Sequence, residues 1–83
     1  MTIGYKGKIA YKMKPTHPDY NHVVGGYKPG TVITYSDEYR INPEFFSGNE
    51  SIIRHIKNDL MIVAGGGYNS RHIYDVEFTI ERM

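Results

Sequence analysis

The chain has 83 residues, 40% hydrophobic and 23% charged, with no cysteine, which suits one small domain over residues 1–83 and not a disordered tail. Disulfides, thiolate metal ligands and a cysteine nucleophile are thereby excluded, and the longest uncharged apolar run, Leu60–Ala64, falls far short of the ~20 residues of a membrane span. The net charge of +1 is unevenly spread: residues 1–30 set five lysines against Asp19 (+4), residues 31–69 three cations against five acids (−2), and residues 70–83 two arginines against three acids (−1).

From Ile3 to Lys14, apolar Ile3, Tyr5, Ile9, Tyr11 and Met13 alternate with Lys6, Lys8, Lys12 and Lys14. This period of two predicts a half-buried strand, with a bulge or bend at Gly7. Residues 15–30 hold three prolines and three glycines, so a long loop is expected, tacked to the core by Val23 and Val24. Thr31–Tyr35 is β-branched and aromatic and predicts a second strand. Ser36–Glu38 is expected to turn the chain, and Tyr39–Ile41 to extend that strand or form a short third one. Asn42–Phe46 has the Asn cap and first-position proline of a helical turn.

Ser47 and Glu50 have the spacing of a capping box, and Ile52, Ile53, Ile56 and Leu60 then fall on one side of a helix. That helix is expected to stop near Asn58. Leu60–Ala64 predicts a strand buried on both faces, and Gly65–Ser70 a hairpin loop. In the last strand His72, Tyr74, Val76, Phe78 and Ile80 form the inward set. The expected fold class is α+β: a small antiparallel or mixed sheet of about four strands, with one main helix and a short helical turn on one face. The opposite charges of the first and last strands predict that they pair, and Ile53, Ile56, Ile62, Val76 and Phe78 are the expected core.

Four features bear on function. The row Lys6, Lys8, Lys12 and Lys14 suits a polyanion surface, but suits equally a face paired with Asp75, Glu77 and Glu81. His17, Asp19 and His22 lie within six residues and are types a divalent metal accepts, but two histidines five apart in a loop are a weak signal. His17 or His22 with His72, a tyrosine or Arg71 would supply the groups for general acid–base chemistry, although no spacing forces them together. Gly65–Gly67 leads toward a strand and not into a helix, and no Lys-Ser or Lys-Thr follows, so a phosphate-loop reading fails. Tyr20, Tyr27 and Tyr68 fall in glycine- and proline-flanked loops among His22, Lys28, Asn69 and Arg71, a mixture of rigid rings and polar groups that suits a binding surface.

The leading expectation is a non-enzymatic, cytoplasmic binding protein with no cofactor, no metal and no membrane partner. Its site would be Tyr20, His22, Tyr27, Lys28, Tyr68, Asn69 and Arg71, and its partner another protein or a phosphate-bearing ligand; self-association stays open. The cytoplasm is inferred because a secreted domain this small normally leans on disulfides and Met1–Lys6 has no leader pattern. In style the chain resembles short bacteriophage and mobile-element proteins that inhibit a host enzyme or capture a nucleotide. The likeness is one of compactness and of missing cysteine and catalytic motifs. The alternatives are a small metal-independent RNase or phosphodiesterase using His17, His22 or His72, and a nucleic-acid-binding module using the lysine face.

Overall fold

The computed structural model describes residues 1–21, 26–65 and 70–83. Strand β1 (Ile3–Met13) is followed by β2 (Ile33–Ile41), a 3-10 turn at Pro43–Phe45, helix α1 (Asn49–Gly65), a second 3-10 turn at Ser70–His72, and β3 (Ile73–Arg82). The strands form one antiparallel sheet in the order β2-β1-β3. This is the expected α+β class with three strands among the described residues, not about four.

The missing strand is Leu60–Ala64, which forms the last turns of α1. Leu60 and Ala64 continue the i, i+4 series begun by Ile52 and Ile56, and all four are buried, so the stripe carries the helix past Asn58. Ile62 and Val63 lie on its outer side, 42% and 46% exposed; Ile62 is therefore not core, and the segment is not buried on both faces. Gly65 is the last helical residue, and the rest of the expected hairpin loop lies mostly outside the described residues. At the other end the Gly48 carbonyl accepts from the Ile52 N–H at 3.3 Å. Gly48, with φ of 133°, thus takes the N-cap place that the spacing predicts for Ser47.

β1 pairs with β3, as the charge rows predict, but also with β2, so it is the central strand. Its odd residues face α1 and its lysines the open side, the alternation of a sheet covered on one face only. Gly7 makes no bulge: it pairs regularly with Asp37 and Ile80. A Cβ there would meet Ile56 Cγ2 at 2.9 Å and Leu60 Cδ1 at 3.1 Å, so glycine at this position lets helix and sheet approach closely. The irregularity lies instead between Ala10 and Lys12, opposite Asp75, whose φ of 50° is the left-handed conformation of a bulge residue. An extra residue there flips the facing of what precedes it. Phe78 and Ile80 point inward, but beyond the bulge Ile73 is buried and Tyr74 is exposed, the reverse of the expected set.

β2 runs unbroken through Ser36–Glu38, where a turn was expected, because each of these residues pairs with β1. Ile9, Ile56 and Leu60 are the most completely buried large side chains. Val76 and Phe78 are half-buried and pack against this centre, whereas Ile53, expected in the core, is half-buried and lines a surface groove. No helix among the described residues is long and apolar enough to cross a membrane.

Candidate functional site

One end of the molecule gathers the C-terminus of β1, the N-termini of β2 and β3, and the C-terminus of α1. Residues 14–21 and 26–31 come to this end from one loop region, and residues 70–72 from the other. The Lys14 N–H donates to the His72 carbonyl at 2.8 Å, and the Thr31 N–H to the Lys28 carbonyl at 3.0 Å. His72 Nδ1 and Thr16 Oγ1 lie 2.9 Å apart.

His17 joins the two loop regions and is buried at 4% exposure. The Asp19 N–H donates to its Nδ1 at 3.0 Å, so Nε2 carries the proton and donates to the Ala64 carbonyl at 2.6 Å. Ala64 lies in the last turn of α1, where carbonyls have no partner within the helix. The ring stacks on Tyr11, centroids 6.5 Å apart, and meets His72 edge-on at 6.3 Å. Both nitrogens are thus occupied: Nε2 holds the loop to the helix, and Nδ1 closes the loop's own turn at Asp19. The structure brings together two of the three histidines named for acid–base chemistry, with His17 engaged as a C-terminal cap; His22 lies outside the described residues.

Tyr27 corrects the expectation of an exposed loop ring, since it is only 8% exposed. Its hydroxyl accepts from the Met13 N–H at 3.0 Å and donates to the Thr31 carbonyl at 2.7 Å. A buried main-chain N–H needs a partner, and the tyrosine reaches inward to provide it. Tyr20 is half-buried against it, centroids 5.1 Å apart. Lys28 and Arg71 are exposed, as are Lys14, Thr16 and Asp19. Tyr68 and Asn69 lie outside the described residues. Sequence reasoning missed the Thr16–His72 contact, which carries no local signal because the pair is 56 residues apart.

Of the lysine row, Lys6, Lys8 and Lys12 lie on the open face of the sheet, while Lys14 follows β1 at the loop end. Lys6 is registered between Glu38 and Glu81, and Lys8 between Ser36 and Thr79. The Lys12 ammonium donates to Asp75 at 2.9 Å, and this bond and the carboxylate's charge raise the Lys12 pKa. Acids on both flanks give this face mixed sign and lower the potential that a phosphate chain would meet.

A second cluster involves tyrosines of β2. The Tyr39 hydroxyl donates to Asp59 at 2.8 Å; burial pushes its pKa well above the ordinary tyrosine value, and Asp59 adds to the effect. Partial desolvation, with Asp37 nearby, raises Tyr35 in the same direction. These groups couple the edge strand to the sheet face and helix. Among the described residues no three His, Asp or Glu side chains converge as metal ligands. Neither a family model, nor a curated protein, nor a solved structure matches the chain.

Proposed function

We propose that the chain is a non-enzymatic binding protein that engages its partner, another protein or a phosphate-bearing ligand, at the loop end. The observation that carries this reading is the convergence of two loop regions, far apart in sequence, at that end of the sheet. Tyr20 and Lys28 from the first stand with Arg71 and His72 from the second, and the Thr16–His72 contact ties them together. Among the described residues cations outnumber acids there: Lys14, Lys28 and Arg71 are exposed alongside Asp19. The engagement of His17 in two structural hydrogen bonds favours binding over acid–base catalysis, because a group that shuttles protons needs a nitrogen that can reach the substrate.

The test is co-purification from the native cell with proteins and small molecules both identified by mass spectrometry. A protein or phosphate-bearing species held by the wild type should be lost when Lys28→Glu and Arg71→Glu are combined, and kept when Lys6→Glu and Lys8→Glu reverse the open face. Equal retention by both double variants would overturn the reading. Loss only with the open-face pair would move the site to the lysines of β1.

A further inference from the structure

At the opposite end the 3-10 turn holds an aromatic ring in solvent. Asn42 Oδ1 accepts from the Glu44 N–H at 3.1 Å, the Phe45 N–H donates to the Asn42 carbonyl at 3.1 Å, and the Phe46 N–H to the Pro43 carbonyl at 3.2 Å. Residues adjacent in so tight a turn point in different directions. Phe46 turns inward against His55, centroids 5.2 Å apart, and Phe45 is left 82% exposed. Beside the turn lies a groove of about 550 Å³ walled by Ile3, Phe46, Ile52, Ile53 and Ile80, with Arg82 the only charged residue among the described residues that line it. The guanidinium of Arg82 and the carboxylate of the exposed Glu44 have no hydrogen-bond or ion-pair partner among the described residues.

We infer that two copies of this chain join at this end, each Phe45 entering the apolar groove of the other and each Glu44 meeting the other's Arg82. The turn presents an apolar ring beside a carboxylate, and the groove presents apolar walls beside a guanidinium, so the two surfaces are complementary in shape class and in charge. Phe45 cannot fill its own groove, because Phe46 already occupies the inward position of the same turn. Ring and groove lie on one end of one molecule, and a two-fold axis therefore satisfies both contacts at once and closes the assembly at two copies. Two rings at about 150–250 Å² each, with the walls they cover, come near the ~1,000 Å² at the lower limit of specific interfaces, so the dimer dissociates on dilution. The loop ends of the two copies are left at the outer extremities, where the proposed binding function is unobstructed. The inference uses none of the residues of that function, and each stands or falls alone.

Sedimentation equilibrium from about 5 μM to about 1 mM tests this. The wild-type average mass should rise toward twice the monomer value across that range. Phe45→Ser should remain monomeric throughout with an unchanged circular dichroism spectrum, as expected for so exposed a residue. Arg82→Glu should weaken association at least about tenfold, and adding Glu44→Arg to Arg82→Glu should restore it by re-forming the pair with its signs exchanged. A wild type that stays monomeric at the highest concentration overturns the inference and leaves the groove to a foreign segment. Association undiminished in Phe45→Ser, or not restored in the charge-exchanged variant, also overturns it.

Discussion

Tyr27 and His17 have a common physical role at the loop end: each carries a polar group inward to complete main-chain hydrogen bonds that water cannot reach. The Tyr27 hydroxyl is both acceptor for Met13 and donor for Thr31. Tyr27→Phe keeps the ring and removes both bonds, leaving the Met13 N–H buried without a partner. The cost of such an orphan is about 1–3 kcal/mol, a large fraction of a small domain's stability. Urea unfolding measures it, and a variant within a few tenths of a kcal/mol of the wild type would mean that water replaces the hydroxyl. Neither role was legible in the sequence. Proline and glycine around a tyrosine or histidine mark a loop, and loops are exposed by default. The inward turn of these rings depends on which carbonyls and N–H groups tertiary packing leaves unpaired.

Periodicity was most legible for β1, whose odd positions are apolar on both sides of Gly7, and for the first half of α1, which carries one continuous apolar stripe. It misled at Leu60–Ala64, where five consecutive apolar residues fit a buried strand and a buried helix equally well. The i, i+4 relation of Leu60 and Ala64 to Ile52 and Ile56 decides between them. In β3 the period of two holds from Val76 to Ile80 and fails before it. The bulge at Asp75 is specified by backbone conformation and by pairing with Lys12, and neither has a sequence signature there. The candidate site was legible only in part. Lys28 and Arg71 could be named from loop composition, whereas Phe45 could have been found only by noting that two adjacent phenylalanines in one turn cannot both face a core. Gly7 gives the sharpest test at this scale. In Gly7→Ala the new Cβ meets Ile56 Cγ2 at 2.9 Å and Tyr39 Cε2 at 3.2 Å, and Ile56 is fully buried with no room to give. Overpacking of this kind costs about 1–3 kcal/mol, more than alanine regains in strand propensity. A Gly7→Ala protein that melts at or above the wild-type temperature would show that the helix can move off the sheet at little cost.

At the scale of the whole molecule, one helix covers one face of a three-stranded sheet, and tyrosine hydroxyls are held where sheet and helix meet. Burial raises the Tyr11 pKa above its ordinary value of 10.0, with Asp19 and Tyr27 adding to the effect; Tyr39 is raised further, by burial and by its bond to Asp59; Tyr35 moves the same way. A group that holds its proton more tightly folded than unfolded contributes stability that is complete below the unfolded value and is lost as pH rises through the folded one. The domain is therefore expected to keep a constant urea midpoint from neutrality to about pH 10, the unfolded tyrosine value, and to lose stability steadily above it. Lys12, raised by Asp75, titrates in the same direction and shares the alkaline limb, so the tyrosine part must be separated by substitution. Tyr39→Phe removes the most strongly shifted hydroxyl and keeps its ring against the core. Its midpoint is lower than the wild type's at neutral pH, since Asp59 loses a donor, but it falls less steeply above pH 10, so the two curves converge. Parallel curves above that pH would show that Tyr39 releases its proton at the same pH folded and unfolded, and that neither burial nor Asp59 holds that proton.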